Sequence, residues 1–390
     1  MKRVCCAVLS ILLLVSTCGC GGRKNDYLAD YDQLWSDLEA NYPFFPVLQE
    51  EKGVDAALVR EKYRPYVEHV KTLEQFMNVL DLVFADLLCF AHLSLIHRDR
   101  YEMLCSSASY WTDDSFDPWL ELLTDPLTAE TYASLPLPEG DGQSSAAEVT
   151  CRYYPSLSAA YFHFPTMMPL AEGENEDLIA DYLATLPEVK HIIIDVTGNG
   201  GGSTAYWANV IVKPFGGVYR SSFRIYYQDS PINTHYYGGR DLAFVSELNS
   251  GVKLPDFAVQ LNAAYYEEAC FDVDFGESVL KNGDDAKRWV LTDSRGYSAT
   301  EQFAAFCKQT GWATLVGDPT GGDGLGGNPL LLRLERTGLL VYLTTAMAEN
   351  PDGTLNALRG VVPDHSAMKE KKSPLALCRQ LIDEENARGE

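Results

Sequence analysis

A short, continuously apolar segment that runs into a glycine-rich turn constrains the fold of this chain more than any other feature. Residues 191–196 read His-Ile-Ile-Ile-Asp-Val, and residues 197–203 read Thr-Gly-Asn-Gly-Gly-Gly-Ser. An apolar run of this length without alternation is typical of a strand that is buried on both faces. Trp207, Val210 and Ile211 then recur at helical spacing. The order of strand, glycine turn and helix predicts an α/β domain.

The same order of strand, turn and helix returns later in the chain. Residues 289–291 are an apolar strand signal, residues 293–297 a turn, and residues 298–310 a helix that ends at Gly311. A further strand follows at residues 313–316. The repeated pattern indicates one α/β domain, with a last helix behind it. The predicted bounds are 151–368 for this domain, 159–164 for an early strand, 175–186 for a helix, 330–335 and 339–345 for a hairpin, and 373–388 for the C-terminal helix.

Apolar residues at helical spacing dominate the region before this domain. The spacing recurs in residues 27–38 and 55–70. It is clearest after Thr72, which forms a capping-box pattern with Gln75. We therefore expect residues 27–98 to form a small helical N-terminal domain.

Two stretches are assigned by composition rather than by periodicity. Residues 99–150 are mixed, and they are rich in Ser, Asp, Pro and Gly near 134–146, which is typical of a linker or an irregular insertion. Residues 226–275 are aromatic and acidic, and they lie between the glycine turn and the helix that starts near residue 298. Two interpretations stay open for this second stretch, a lid over a cleft and a plain structural insertion.

The first twenty residues have the composition of an export signal. Lys2 and Arg3 precede an apolar run at residues 4–15. That run is too short to span a bilayer, which needs about 20 residues, but it suits a secretory signal. The small residues and cysteines that follow resemble a bacterial lipoprotein signal, with Cys20 as the lipidated residue and Cys18 as the other candidate. We therefore expect a lipid-anchored protein of the bacterial cell envelope, facing away from the cytoplasm. An ordinary signal peptide and an uncleaved anchor are the alternatives.

Charge and cysteine usage exclude several classes of function. The chain has 31 Lys and Arg against 55 Asp and Glu, a net charge of −24 with His neutral. A chain this acidic has no general attraction for nucleic acid. The six cysteines beyond the signal are scattered and lack CxxC spacing, which argues against a structural zinc site. We expect no metal and no cofactor, and no sequence feature indicates an oligomeric state.

Three segments could carry chemistry, and each also has a structural interpretation. The N–H groups of the turn at 197–203 could bind phosphate or an oxyanion, or its glycines could serve tight geometry alone. Ser298 opens a Ser-x-x-Glu capping box, and a serine at a helix start is also well placed as a nucleophile. His92 follows an apolar helix and is either a structural histidine or a general base.

Taken together, these segments resemble the C-terminal processing peptidases, also called tail-specific proteases. They resemble above all the branch that includes the tricorn core and the interphotoreceptor retinoid-binding protein. The similarity covers most of residues 27–368, and its motifs occur in the family's order. These motifs are Asp32-Gln33-Leu34-Trp35 with Asn41-Tyr42-Pro43-Phe44-Phe45, Phe90-Ala91-His92, the stretch 194–202, Ser298-Ala299-Thr300-Glu301 with the stretch 315–322, and Gly360-Val361-Val362-Pro363-Asp364.

The resemblance implies a serine-type peptidase that hydrolyses peptides or protein tails by acyl transfer. Ser298 would be the nucleophile and His92 the base. The N–H of Ala299 and that of Gly200 or Gly201 would bind the oxyanion. The implied fold is α/β, with a crotonase/ClpP-like β-β-α core behind a small helical domain. No segment resembles the PDZ domain that some members carry. The implied partners are a peptide or protein substrate and, through the lipid, a membrane.

The chain departs from the family around the histidine. Asp323 stands where members with a serine–lysine dyad have the lysine, and Ala91 stands where the tricorn branch has a serine. The glutamate of that branch falls at Asn356 or Ala357, and Thr197 replaces an arginine of the glycine turn. The histidine is therefore expected to lack its usual orienting partners.

The loss of these partners motivates an alternative function. In serine hydrolases, loss of the orienting group lowers the rate by orders of magnitude. The alternative is a catalytically weak or inactive pseudo-peptidase that binds peptide ends or a hydrophobic ligand in the former cleft. A carboxylate elsewhere, such as Glu349 or Asp352, is a further candidate to approach His92.

Overall fold

The structure is a computed structural model that describes residues 22–108, 111, 114–137, 148–168, 172–238, 242–248, 254–280 and 285–388. The expected lipoprotein signal, with Cys18 and Cys20, lies outside these residues. Across the described ranges, no helix combines the length and apolar character needed to cross a membrane. The six cysteines of the described part are all free thiols.

The N-terminal region is helical, as its apolar spacing predicts. Its helices are α1 Gly22–Asn41, α2 Phe45–Lys52, α3 Ala56–Val67 and α4 Leu73–Asp86. Thr72 caps α4, because its hydroxyl accepts a hydrogen bond from the N–H of Gln75 at 3.2 Å. The apolar stripe of α4, which includes Phe76, Leu80 and Phe84, is fully buried. α4 ends at Asp86, shortly before residues 90–92, so the packing of this helix fixes where those residues begin.

The stretch 99–150 differs from the expected linker or irregular insertion. Its first part holds the helices α5 Arg98–Ala108, α6 Asp117–Leu123 and α7 Pro126–Ser134. Most of the Ser, Asp, Pro and Gly residues near 134–146 that suggested a loop lie outside the described residues, and the start of α7 uses residue types that are also common in loops. Asp125 caps α7 by accepting the N–H of Thr128 at 3.0 Å, and Pro126 fills the first helical position. The rings of Tyr101 and Tyr132 stack at 4.2 Å and join α5 to α7. Composition alone could not show this packing.

The rest of the described chain alternates strands and helices. The strands are β1 Ser94–Leu95, β2 Thr150–Tyr154, β3 Ala159–His163, β4 His191–Asp195, β5 Val218–Tyr227, β6 Ala243–Phe244, β7 Tyr265–Asp274, β8 Lys287–Thr292, β9 Thr314–Gly317, β10 Leu330–Arg333, β11 Leu340–Leu343, β12 Ala346–Ala348 and β13 His365–Ser366. The helices are α8 Glu172–Thr185, α9 Thr204–Tyr206, which continues as a π-helical stretch Trp207–Val212, α10 Pro231–Tyr237, α11 Asp256–Gln260, α12 Ala299–Thr310, α13 Asn356–Arg359, α14 Ala367–Glu370 and α15 Pro374–Arg388.

A six-stranded sheet in the order β13-β9-β8-β4-β3-β2 forms the centre of the molecule. Strands β3, β4, β8, β9 and β13 are parallel, and β2 pairs antiparallel at the edge. Ile193 of β4 lies opposite Trp289 of β8. All five residues of β4 are buried, which is why this strand lacks polar alternation. The predicted α/β core behind N-terminal helices is therefore confirmed.

Two smaller antiparallel sheets flank the central one. The first has the order β1-β11-β10, and β10 with β11 is the predicted hairpin. The second has the order β12-β5-β7-β6, and its strands β6 and β7 lie within the stretch 226–275. In the first sheet, Ser94 pairs with Tyr342, so the segment that carries His92 is held next to the hairpin.

Two hydrophobic cores lie on the two faces of the central sheet. The larger core is continuous from α1 and α4 through β4, α12 and the hairpin strands. The helical region 27–98 thus shares its core with the α/β region. The smaller core packs α15 against the other face of the sheet, through residues such as Ile193, Trp289 and Cys378. The edge at which β4 and β8 end is left to form a cleft.

Candidate active site

A cleft of about 870 Å³ lies where the glycine turn, α12 and the segment before β1 meet. His92, Ser298 and Gly200 are among the residues that line it. Apolar and aromatic side chains also line it, among them Met103, Trp111, Phe116 and Trp119. Among the described residues, none of the stretch 226–275 lines this cleft, so the geometry does not favour the lid interpretation over the plain insertion.

Ser298 lies at the sharp turn between β8 and α12. Its backbone has φ +58° and ψ −121°, a conformation that a non-glycine residue rarely adopts. Its hydroxyl makes no capping hydrogen bond to α12. Glu301 does not complete a capping box, because it accepts the N–H of Gly322 instead. The geometry therefore does not support the interpretation of Ser298 as a simple helix cap.

His92 lies at the end of an irregular turn that follows α4. The turn contains a run of positive φ angles, at Leu88, Cys89, Ala91 and His92. The His92 side chain is 11% exposed, and its backbone N–H donates to the hydroxyl of Tyr297 at 3.0 Å. Ser298 and His92 line the same cleft, but no hydrogen bond joins their side chains among the contacts of the described residues. Catalytic hydrogen bonds are often long without substrate.

A carboxylate contacts the histidine, contrary to the expectation that His92 lacks an orienting partner. Oδ2 of Asp323 is hydrogen-bonded to Nδ1 of His92. The same oxygen accepts hydrogen bonds from the hydroxyls of Tyr297 and Thr344, each at 3.0 Å. The Asp323 side chain is 3% exposed. Asp323, which in the sequence is notable only because it replaces a lysine of the family, is therefore the acidic side chain that contacts His92.

The two carboxylates suggested by the sequence are engaged elsewhere. Glu349 accepts the hydroxyl of Tyr226 at 3.0 Å and lies 3.5 Å from a guanidinium nitrogen of Arg224. Asp352 accepts the N–H of Thr354 at 3.1 Å. Neither residue is among the hydrogen-bond partners of His92, so this expectation is not met.

Tyr297 connects the turn that carries Ser298 to the histidine. Its hydroxyl accepts the N–H of His92 and donates to Asp323. Burial, followed by the negative charge of Asp323, raises the pKa of the Tyr297 phenol well above its usual range. The phenol therefore stays protonated and remains a donor at any physiological pH. Tyr297 and Thr344 were not singled out in the sequence, and only the adjacency of Tyr297 to Ser298 could have drawn attention to it.

The glycine turn is fixed by Asn199. Its amide donates to the carbonyl of Phe164 at 2.8 Å. Its oxygen accepts the N–H of Gly201 and the hydroxyl of Thr300, each at 2.9 Å. The turn is thereby pinned to the start of α12, next to Ser298.

The bond to Asn199 changes the set of expected oxyanion donors. The N–H of Gly201 is used within the turn, so Gly201 is not a free donor. Among the described residues, the N–H of Gly200 has no hydrogen-bond partner, and Gly200 lines the cleft. Ala299 is the first residue of α12, and an N–H at that position has no partner within the helix. Gly200 and Ala299 are therefore the two donors that remain.

A buried acid holds the loop that carries Asp323. Glu301 accepts the N–H of Gly322 at 3.1 Å and the amide of Asn356 at 2.7 Å. The oxygen of Asn356 in turn accepts the N–H of Gly324 at 3.1 Å. The residues on either side of Asp323, Gly322 and Gly324, are thus both held by hydrogen bonds, and we call this arrangement the clasp of Glu301. Burial raises the pKa of Glu301 from 4.5 to about 7. Asn356, where the family's glutamate was expected, serves this clasp and does not contact His92.

Glu301→Gln is expected to remove part of the pH dependence of stability. A carboxyl with a raised pKa in the folded state stabilises the protein fully below its unfolded pKa, and this stability is lost as pH rises through the folded pKa. The window runs from about pH 4.5 to about 7. At about 1.4 kcal/mol per pH unit, the loss amounts to about 3 kcal/mol. Glutamine has no proton to lose. As the pH rises from 4 to 8, the free energy of unfolding measured in urea should therefore fall by about 3 kcal/mol more in the parent than in the variant.

Glu130→Gln is the control for this measurement, because it removes one exposed carboxylate on α7. An equal change in both variants would assign the effect to net charge and would contradict the assignment to buried Glu301.

The described residues contain no group of three His, Cys, Asp or Glu side chains that could hold a metal ion.

Comparison with known proteins shows that the sequence matches a peptidase family. The sequence model of Peptidase family S41 matches residues 158–367, and that of the Tricorn protease C1 domain matches residues 23–85. No curated protein sequence matches the chain.

Three solved structures are among those to which this chain is similar. A putative peptidase from Parabacteroides merdae is 18% identical with a TM-score of 0.54, over 91% of this chain and 96% of that one. Mature CPAF is 12% identical with a TM-score of 0.49, over 88% and 92% of the two chains. The photosystem II D1 C-terminal processing protease is 15% identical with a TM-score of 0.36, over 56% and 47%. At these identities the likeness concerns the fold alone.

Proposed function

Because this chain belongs to peptidase family S41, we propose that it hydrolyses peptide bonds by acyl transfer, with Ser298 as the nucleophile and His92 as the general base. One observation carries this assignment. Ser298, His92 and the glycine turn come from three distant parts of the chain, and all line the same cleft. Family membership supports a peptidase function, and the cleft supports the roles of the individual residues.

The reaction divides into two steps of the same form. The Ser298 oxygen attacks the peptide carbonyl carbon while its proton passes to His92. The resulting oxyanion accepts the N–H groups of Ala299 and Gly200, which are fixed before the substrate arrives. The histidine then protonates the leaving amine, and the C–N bond breaks to leave an acyl ester on Ser298. Water, deprotonated by His92, attacks this ester and releases the acid.

The cleft supports a peptide as the substrate. Its wall of aromatic and aliphatic side chains suits apolar residues on either side of the reacting bond. The substrate class we propose is peptides or the tails of unfolded proteins.

We also propose that the enzyme acts at the bacterial cell envelope through a lipid on Cys20. That placement rests on the sequence of residues 1–20, which lie outside the described residues.

A fluorophosphonate probe tests the proposed nucleophile. Such a probe phosphonylates only an activated serine, so we expect stoichiometric labelling that maps to Ser298 by mass spectrometry. Ser298→Ala should abolish labelling. Ser107→Ala removes another cleft serine and serves as the matched control, which should label as the parent does.

The pseudo-peptidase is the alternative outcome of the same experiment. Negligible labelling of the folded parent, equal to that of Ser298→Ala, would reject the proposed function. The pseudo-peptidase hypothesis was based on a histidine without an orienting partner, and the contact between His92 and Asp323 weakens that argument.

A further inference from the structure

The position at which lysine-dependent members of the family carry their base is occupied here by a buried aspartate. We propose that Asp323 is the positioning residue of the histidine: it holds the His92 ring in the tautomer that leaves Nε2 free to take the proton of Ser298. This inference rests on the proposed function and extends it to a third residue.

The contacts of Asp323 converge on one oxygen. Oδ2 accepts from the hydroxyls of Tyr297 and Thr344 at 3.0 Å each, and it contacts Nδ1 of His92. The two hydroxyls donate to this oxygen, so Oδ2 faces the ring as a hydrogen-bond acceptor. The Thr344 hydroxyl, whose proton is used on Asp323, also faces Nδ1 as an acceptor, at 3.2 Å. In the pair with His92, the proton therefore lies on Nδ1, and Nε2 has the lone pair. A base that is protonated on the wrong nitrogen could not accept the serine proton.

Asp323 cannot move away from the ring easily. Its backbone is left-handed, with φ +54°, between two glycines. The N–H of Gly322 is held by Glu301 and that of Gly324 by Asn356. The N–H of Thr344 donates to the carbonyl of Ala91 at 2.9 Å, which ties the third partner of the carboxylate to the histidine turn. The carboxylate and the ring are thus set by the same rigid frame.

Exchange of the carboxylate for an amide tests the role directly. We expect Asp323→Asn to lower kcat by about 100- to 10,000-fold with KM changed by less than about threefold, because the base is then in the wrong tautomer. The pH profile of kcat should also differ from that of the parent, since the acid side chain beside the ring is gone. Asp323→Glu should restore part of kcat.

Two pairs of variants separate positioning from stability. Asp30→Asn also replaces a buried carboxylate, one that accepts the N–H groups of Arg336 and Thr337 far from the cleft. It should keep kcat and the pH profile. Thr344→Val removes one donor to Asp323, whereas Thr345→Val removes a neighbouring buried hydroxyl that bonds Asn233. Only the first should move the pH profile.

Nitrogen NMR of isotope-labelled histidine reads the tautomer without any need for activity. We expect the His92 signals, identified by their loss in His92→Gln, to show protonated Nδ1 and unprotonated Nε2 above the pH at which the ring loses its charge. Asp323→Asn should mix the tautomers. If that variant does not fold, the parent spectrum and the threonine pair decide the question.

The outcomes distinguish this inference from the proposed function. An active parent whose His92 is protonated on Nε2, or an Asp323→Asn variant with unchanged kcat and pH profile, would overturn the role of Asp323 alone. A loss as large in Asp30→Asn would also overturn it. An inactive parent with the expected tautomer would overturn the proposed function, while the spectrum would still support the positioning contact.

Discussion

Ser298→Ala and His92→Ala are each expected to lower kcat by about 10⁴- to 10⁶-fold, and the double variant should lose no more than the worse of the two. The reason is that serine and histidine act as one unit. Without the base the hydroxyl is a poor nucleophile, and without the hydroxyl the base has nothing to activate. Steady-state hydrolysis of an internally quenched peptide measures this, with folding checked by thermal unfolding.

Matched controls for this experiment lie close by. His97 is five residues beyond His92, but it is about half exposed and bonds Asp81 at 3.0 Å. His97→Ala should therefore keep kcat within about twofold, as should Ser107→Ala, since neither removes a group of the reacting unit. Losses that multiply in the double variant would mean that Ser298 and His92 act independently. That result would contradict the proposed pair.

The fold was largely accessible from the sequence, because burial leaves a strong pattern. The run at 191–196 lacks polar alternation because β4 lies between β3 and β8 with both faces covered. The hairpin at β10 and β11 was recognisable from two apolar runs with Gly338 between them. Each of these signals is local, so one segment suffices to reveal it.

The helices α5 to α7 show where such signals fail. Their polar and proline residues are the same ones that mark loops, and whether they start a helix depends on what the helix packs against. The stacking of Tyr101 on Tyr132 and the burial of Trp119 against the hairpin decide this. These contacts are made across the chain, and no local pattern reports them.

The candidate site was accessible only in part, for a similar reason. Ser298 and the glycine turn are each adjacent to a strand, so their place at the sheet edge follows from the strand order. Asp323 is 231 positions from His92, and the loop that brings it there is set by the clasp of Glu301. The sequence alone shows Asp323 at the position where some members of the family have a lysine. The sequence could not show that an acid there would turn to the histidine.

The backbone of the glycine turn offers the second large effect. A Cβ on Gly201 would lie 2.6 Å from the carbonyl oxygen of Tyr297 and 2.9 Å from both the N–H of Ala299 and Cβ of Ser298. These atoms belong to the backbone or to the Ser298 side chain, so the turn itself would have to shift. Its φ of +101° adds strain for any residue with a side chain.

Gly201→Ala is therefore expected to lower kcat by about 100- to 1,000-fold, the cost of a displaced oxyanion donor. The free energy of unfolding should fall by about 1–3 kcal/mol from backbone strain. Gly53→Ala is the control, because Gly53 has φ +70° with no atom within 4 Å of an added Cβ. It should lose stability of the same order and keep kcat. A Gly201→Ala variant that loses stability but hydrolyses peptide at the parental rate would mean that the glycine turn does not form the oxyanion site. The stabilising groups would then have to come from another part of the cleft.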